Sequence, residues 1–537
     1  MRSESFLHGG AFPALQESTI DDVLLYAAKN FANDNAITSV WQGKRCSFSE
    51  LSVLVSQIAD ALLAAGISGG DRVGVWGSNR IEWIAVQFAV ARIGAILVPI
   101  NPAFRQDELE YAIAHSGSKA LFLASKFRNF DCMAAAVQVQ QAHPQLKLLV
   151  RFDDDAGIGP AVAWSDFLAS GVWTGNVTAI NARASISHHD AAAILYTSGT
   201  TGKPKGATLS HFNLVNNGFH VGLRLQLGVS DRICLPVPLF HCFGMVIGVL
   251  GAFSHGASLV LPGQGFDVDE CFDAIEHEAC TGFYGVPMMF ISMLNHANFD
   301  TSRLLTLRAG LMGGAPCPSE TFAQAVQKMH LPDLSVVYGM TETSPISLQT
   351  SLDDPVEMRS ITVGRPHPHV EIKIADVESG EAMPIGEAGE FCVRGYLNML
   401  AYWNDPVATS ATIDRDGWLH SGDLAIQRPD GMIEIVGRIK DMIIRGGENI
   451  FPREVEEMLC RAVPDITEAY VFGIPDSLYG EQVCAWVRLK DGVSMCPEEI
   501  QDKCKGLLAT FKIPRYIRTV DMFPSSYANT QVPYMTC

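Results

Sequence analysis

The strongest constraint on the fold is an alternation of short apolar runs with amphipathic segments through the first half of the chain. Arg72-Val-Gly-Val-Trp76 predicts a strand and Glu82 to Ile93 a helix after it. Ala95-Ile-Leu-Val-Pro-Ile100 and Lys119-Ala-Leu-Phe-Leu-Ala124 predict further strands. This rhythm favours α/β layers with largely parallel strands. It returns between residues 232 and 345, where Ser258-Leu-Val-Leu261 precedes a helical segment from Val268 to Glu278 and Gly282-Phe-Tyr-Gly285 follows. From about residue 360 the texture changes. Short alternating strands, Val370-Glu-Ile-Lys-Ile-Ala375 and Gly389-Glu-Phe-Cys-Val-Arg394, are separated by Gly, Pro and Asp turns, which suits an antiparallel, β-barrel-like subdomain. A last unit begins near Gly437, with a helix from Pro452 to Cys460 and strands from Glu468 to Phe472 and Val483 to Leu489. The expected organisation is a large α/β N-terminal domain over 1–437 and a small α+β C-terminal domain over 438–537.

Composition narrows the function classes. A formal charge of −19 argues against non-specific binding to nucleic acid or an anionic membrane, which needs a cationic surface. The longest apolar run, Cys242 to Phe253, is short of the ~20 residues that span a bilayer, so a buried helix is expected there and no integral membrane segment. The thirteen cysteines form no C-x-x-C pair and no secretory signal precedes them, as expected of reduced thiols in a cytoplasmic protein. The C-terminal Tyr-Met-Thr-Cys is neither a peroxisomal signal of the Ser-Lys-Leu type nor a prenylation box, and a peroxisomal or mitochondrial location stays open. Oligomeric state is not legible.

The chemistry begins at Tyr196-Thr-Ser-Gly-Thr-Thr-Gly-Lys-Pro-Lys-Gly206, directly after the apolar run Ala191-Ala-Ala-Ile-Leu195. Gly199 and Gly202 let the backbone turn sharply and bring N–H groups to an anion. Thr197, Ser198, Thr200 and Thr201 add hydroxyl donors, and Lys203 and Lys205, flanking Pro204, add charge. Such a loop suits a polyphosphate. It is not a Walker A loop, whose spacing fails at Pro204. Further along, Gly313-Gly-Ala-Pro316 is a tight turn where backbone can lie flat against a planar ring. Tyr338-Gly-Met-Thr-Glu-Thr343 supplies an aromatic face, a hydroxyl and, in Glu342, a carboxylate suited to Mg²⁺. Gly417-Trp-Leu-His-Ser-Gly-Asp423 places an acid where ribose hydroxyls can be bound, and Gly437-Arg-Ile-Lys-Asp441 brings a cation.

Together and in this order, with Asn101-Pro102, Pro236-Val-Pro-Leu-Phe-His-Cys-Phe-Gly244 and Gly389-Glu-Phe-Cys-Val-Arg-Gly395, these segments resemble the acyl-adenylate-forming (AMP-binding) superfamily. The resemblance covers Phe48 to Pro524 and is to acyl-CoA synthetases above all. It implies that residues 197–205 grip the β- and γ-phosphates of ATP. Gly314, Ala315 and Pro316 would border adenine with Tyr338 stacked on it, and Gly339 and Met340 would complete that edge. Thr341 would touch the α-phosphate and Glu342 would hold Mg²⁺. Asp423 would bind the ribose, assisted by Arg438, and His241 would sit near the reacting carboxylate. The small domain would turn about Lys440, and Gly446 and Gly447 would line the pantetheine tunnel of CoA. Met245, Val246, Val286, Gly313, Met340 and Pro345 are the expected acyl pocket.

The resemblance breaks at the end. Phe511-Lys-Ile-Pro-Arg515 and Val520-Asp-Met-Phe-Pro524 match the family's approach to a final Gly-Lys pair, whose lysine bridges the acid and the α-phosphate. Here Ser-Ser-Tyr-Ala-Asn-Thr-Gln-Val-Pro-Tyr-Met-Thr-Cys537 follows, with neither glycine nor lysine. One such contact contributes ~2.7–4 kcal/mol, so slow adenylation is expected, while the thioester step is spared. The expected function is an ATP-dependent acid–CoA ligase, with a medium-chain fatty acid favoured over an aryl acid. The alternatives are an adenylating enzyme that loads a carrier protein, a light-emitting oxidation, and a non-catalytic nucleotide or acyl-adenylate binding protein.

Overall fold

The computed structural model describes residues 4–154, 160–171, 185–197, 203–445, 448–476, 479–505, 507, 509–521 and 523. Two large sheets carry the first two-thirds of the chain. The first has eight strands, in the order Val162–Ala163, Leu148–Arg151, Ala120–Leu123, Arg72–Trp76, Ile96–Ile100, Ala191–Thr197, Lys205–Ser210 and Ala401–Tyr402. It is parallel as far as Ala191–Thr197, after which the last two pairings are antiparallel. The second has nine strands, with a parallel centre running through Asp333–Gly339, Ala309–Gly313, Gly282–Gly285, Arg232–Cys234, Ser258–Leu261 and Asn35–Ser39. Antiparallel strands close both of its edges. The expected parallel α/β layers are therefore present, with Val268–Glu278 helical as predicted.

Local chemistry sets the element ends. Ser47 and Glu50 cap the helix Phe48–Ala64 reciprocally: the Glu50 amide donates to Ser47 Oγ at 3.2 Å and the Ser47 amide to Glu50 Oε2 at 2.8 Å. The helix Ile81–Arg92 is buried along its whole length, on its polar as well as its apolar sides, and Arg92 pairs there with Asp21 at 2.8 Å. The apolar run expected as a buried helix is one, but of the wider π type over Phe243–Leu250, followed by a short α turn at Gly251–Phe253. Glycines set its close approach: a Cβ at Gly244 would fall 2.2 Å from the Pro238 carbonyl oxygen, and one at Gly248 2.7 Å from the Leu235 side chain.

The β-rich segment expected after residue 360 is a five-stranded sheet in the order Phe6–His8, Val370–Ala375, Ala388–Gly395, Leu419–Gln427 and Ile433–Arg438. The last sheet runs Glu448–Ile450, Ile443–Arg445, Gly480–Leu489 and Ile466–Asp476, with Tyr516–Thr519 parallel beside Gly480–Leu489. The helices Pro452–Ala462 and Pro497–Cys504 accompany it, and Val455, Leu459, Val471, Val483 and Ile500 form its core. By internal contacts the chain divides into a larger unit, His8–Glu371 with Val393–Leu419, and a smaller one, Met1–Leu7, Ile372–Cys392 and His420–Cys537.

Candidate active site

In the larger unit the predicted residues lie at the carboxyl ends of strands, where α/β sheets present their loops. Thr197 ends Ala191–Thr197 and stands opposite Lys205, so the predicted loop connects two antiparallel strands. Gly313 ends one strand of the second sheet and Gly339 ends its parallel neighbour, with Gly313 paired to Val337. Neither glycine tolerates a side chain. A Cβ at Gly313 would lie 2.7 Å from the Val337 carbonyl oxygen, and one at Gly339 1.8 Å from that of Pro345. Gly314 has φ +81°, in the left-handed region that favours glycine, and Gly314, Ala315 and Pro316 are exposed.

Glu342 joins the two sheets. It is buried on a single 3₁₀ turn, Thr341–Thr343, and its Oε1 accepts from Tyr402 Oη at 2.7 Å and from Thr197 Oγ1 at 3.3 Å. Its main-chain carbonyl accepts from the Met399 amide at 2.8 Å. Oε2 accepts no hydrogen bond among the described residues. Burial first, then the Glu342 charge, raises the Tyr402 phenol, which therefore stays a donor at neutral pH. Lys205 Nζ lies 4.9 Å from the centre of the Tyr402 ring, and Lys203 Nζ 5.9 Å from that of Tyr111. Tyr111 Oη donates to the Pro204 carbonyl at 2.8 Å, pinning the outgoing side of the loop. Ser198, Gly199, Thr200, Thr201 and Gly202 lie outside the described residues.

Thr341 is half-buried, with its hydroxyl beside the Cys242 sulfur. Burial pushes the Cys242 thiol up to about 12, so it is no nucleophile at neutral pH. The neighbouring His241 is exposed, yet crowding by protein strips enough water from its ring to lower its pKa. Its ring has no hydrogen-bond partner among the described residues, unlike a satisfied core histidine. Tyr338 and Met340 are half-buried. Of the expected acyl-pocket residues, Met245, Val246, Gly313 and Pro345 are buried and Val286 and Met340 are half-buried. Val286 Cγ1 lies 3.5 Å from where a Gly314 Cβ would stand, so these two are gathered.

In the smaller unit, Asp423 and Arg438 face each other across an antiparallel pair, with Arg438 Nε 3.1 Å from Asp423 Oδ1. The carboxylate side chain is 13 % exposed and the guanidinium side chain 60 %, so the acid is sheltered while the cation reaches solvent. Lys440 is exposed on the 3₁₀ turn Ile439–Asp441. Gly446 and Gly447 lie outside the described residues, as do residues 524–537.

Sequence reasoning missed Tyr402 and Tyr111. Each approaches the loop from a distant segment, Tyr402 through its strand's pairing with Lys205–Ser210 and Tyr111 from the helix Gln106–Ser116. The aromatic pair Tyr402-Trp403 after a Gly395 turn was the available signal.

The AMP-binding enzyme family model matches residues 25–403, and that of the AMP-binding enzyme C-terminal domain matches residues 454–528. The chain is 40% identical over 525 residues to "Putative acyl-CoA synthetase YngI" of Bacillus subtilis, covering 95% of each. It is 37% identical over 537 residues to "Medium-chain acyl-CoA ligase ACSF2, mitochondrial" of Mus musculus, covering 97% of this chain and 87% of that one. Among solved structures, ATP-bound MatB from Rhodopseudomonas palustris superposes with a TM-score of 0.81 at 26% identity, over 94% of this chain and 96% of that one. No helix among the described residues is long and apolar enough to cross a membrane.

Proposed function

The chain belongs to the AMP-binding enzyme family, as an ATP-dependent acid–CoA ligase that works through an acyl-adenylate, and we propose that its acid is a medium-chain fatty acid. The observation that carries the site assignment is the Glu342 node, where one buried carboxylate ties the phosphate hairpin to the end of the second sheet. The apolar character of Met245, Val246, Val286 and Met340 supports an alkyl chain, as does the name of the mammalian relatives.

The chemistry follows from charge. A carboxylate is a poor acyl donor because oxide would have to leave. Attack of its oxygen on the α-phosphorus of ATP forms an O–P bond, expels pyrophosphate and leaves AMP as the leaving group. The CoA thiolate then attacks the acyl carbon, forming the C–S bond and breaking the C–O bond to AMP. On this reading Lys203, Lys205, Thr197 and the 198–202 loop hold the β- and γ-phosphates as pyrophosphate departs. Thr341 donates to the α-phosphate, and His241, uncharged at neutral pH, borders the acid without competing for its charge. Gly314, Ala315, Pro316, Tyr338, Gly339 and Met340 border adenine. Glu342, with Oε2 to offer, would hold Mg²⁺, which screens the two approaching anions when bound.

The smaller unit supplies Asp423 to the ribose with Arg438 beside it, Lys440 as the turning point between domains 1–437 and 438–537, and Gly446 and Gly447 to the pantetheine arm. Adenylation is slow without the final lysine, and the enzyme is cytoplasmic. Cell fractionation decides the location, since the mammalian relatives are named mitochondrial. The substrate reading is tested with a panel of short-, medium- and long-chain saturated acids and aryl acids, scored by mass for the CoA thioester. Medium-chain acids are expected to give the highest kcat/KM. Preference for an aryl or long-chain acid overturns it.

A further inference from the structure

Glu390 and Cys392 stand two residues apart on the strand Ala388–Gly395, so a pleated backbone turns both side chains to one face of the sheet. His420 lies on the adjacent strand Leu419–Gln427 and reaches the same face. Its Nδ1 is 2.7 Å from Glu390 Oε2 and 3.5 Å from Cys392 Sγ, and one ligand atom from each of the three lies within 4.8 Å of the others. All three belong to the smaller unit. None has a part in the adenylation and thioester chemistry described above.

From this cluster we propose that Glu390, Cys392 and His420 form a binding site for a borderline-soft divalent transition metal, Zn²⁺ by chemical class. Thiolate, imidazole and carboxylate are the three ligand types Zn²⁺ accepts, in a tetrahedron whose fourth position water can fill. Mg²⁺ and Ca²⁺, which require oxygen donors, are excluded by the sulfur and nitrogen, so this is not the reaction's magnesium. Binding displaces the Cys392 thiol proton and any proton held between His420 and Glu390. Cys392 is fully buried, the Glu390 side chain is 12 % exposed and that of His420 29 %, so the sulfur is sheltered while the imidazole side stays open to an arriving ion. Outer support is present as well. The Gly422 amide donates to Glu390 Oε1 at 3.0 Å and orients the carboxylate. Gly422 immediately precedes Asp423, so an occupied site would stiffen the strand that carries the ribose-binding acid.

The test uses the full-length chain, stripped with a chelator and titrated with Zn²⁺ alone by calorimetry and with Co²⁺ by absorption. One equivalent of Zn²⁺ is expected, with a thiolate-to-cobalt charge-transfer band and the strong visible bands of a tetrahedral centre. Cys392→Ser should remove the charge-transfer band, and both Cys392→Ser and His420→Gln should weaken Zn²⁺ binding about tenfold or more. Cys496→Ser, at an exposed thiol, should leave both unchanged. Absence of the band in the unmodified chain overturns the proposal without reference to any variant. So does a Zn²⁺ affinity that Cys392→Ser and His420→Gln leave as it was.

Discussion

Tyr402 Oη donates to Glu342 Oε1 across 2.7 Å inside the protein, joining residues sixty positions apart. Thr197, at the root of the phosphate loop, shares the same oxygen. The acid that is to face a metal ion and the hairpin that is to face the phosphates are thus held by one pair of hydroxyls. A buried carboxylate supported on one oxygen keeps the other for a cation.

Tyr402→Phe deletes that donor and leaves the ring. A hydrogen bond to a charged group contributes about 1.5–3 kcal/mol, so kcat for adenylation should fall between about tenfold and about a hundredfold. More Mg²⁺ should be needed for half-maximal rate. Glu342→Gln should lose more than Tyr402→Phe. Pyrophosphate release measured across a magnesium series checks both, and an unchanged magnesium dependence in Glu342→Gln would remove the metal role.

Gly339→Ala places a methyl against the Pro345 carbonyl oxygen, where no rotamer change can relieve the overlap. A loss of about 3 kcal/mol in urea unfolding is expected, together with loss of adenylation. Gly437→Ala meets nothing within 4 Å among the described residues and should stay within about 0.5 kcal/mol of the parent. Equal stabilities for the two variants would contradict the tight strand-end geometry.

Three histidines of the larger unit are buried without charge. Burial pushes His211 and His220 down to about 4, and burial with the nearby Arg224 charge holds His367 well below the ordinary histidine value. Unfolded histidine binds its proton near pH 6.5, so between about pH 6.5 and 4 the unfolded chain holds more protons than the native one. Stability contributed by keeping these rings neutral is complete above pH 6.5 and is lost as pH falls through that window, on the order of several kcal/mol in all. Thermal unfolding followed from pH 8 to pH 4.5 should show a falling Tm. His220→Phe, at a ring whose two nitrogens have no hydrogen-bond partner among the described residues, should flatten the fall. A parent Tm independent of pH over this range would refute the linkage.

The two half-reactions should separate. Pyrophosphate release is expected to be about 10²–10³ slower than in a chain whose tail carries a Gly-Lys pair, because one charge-assisted transition-state contact is missing. Thioester formation from pre-made acyl-adenylate should be alike in both. Equal adenylation rates would mean that another group supplies the charge. Lys512 is not at liberty to do so while its Nζ lies 2.7 Å from Glu454.

Much of this was legible in the sequence because the local signals agree with the tertiary outcome. Arg72–Trp76, Ser258–Leu261, Gly282–Gly285 and Val268–Glu278 have the bounds their patterns predict. The ordered motifs give the family. The antiparallel return of Lys205–Ser210 at the edge of a parallel sheet, and its outer pairing with the distant strand Ala401–Tyr402, were not legible. The π geometry of Phe243–Leu250 was hidden as well: it answers to the contacts of Gly244 and Gly248 with Pro238 and Leu235, and periodicity carries no trace of them. Tyr402 has no motif of its own. Its role appears only when Glu342 is seen to be buried.

The most direct measurement incubates the protein with octanoic acid, ATP, Mg²⁺ and CoA and follows every product by mass. Octanoyl-CoA and AMP are expected in equal amounts, with pyrophosphate, and octanoyl-adenylate when CoA is withheld. Formation of ADP, or binding of ATP with neither adenylate nor thioester at any enzyme concentration, would contradict the acyl-adenylate route.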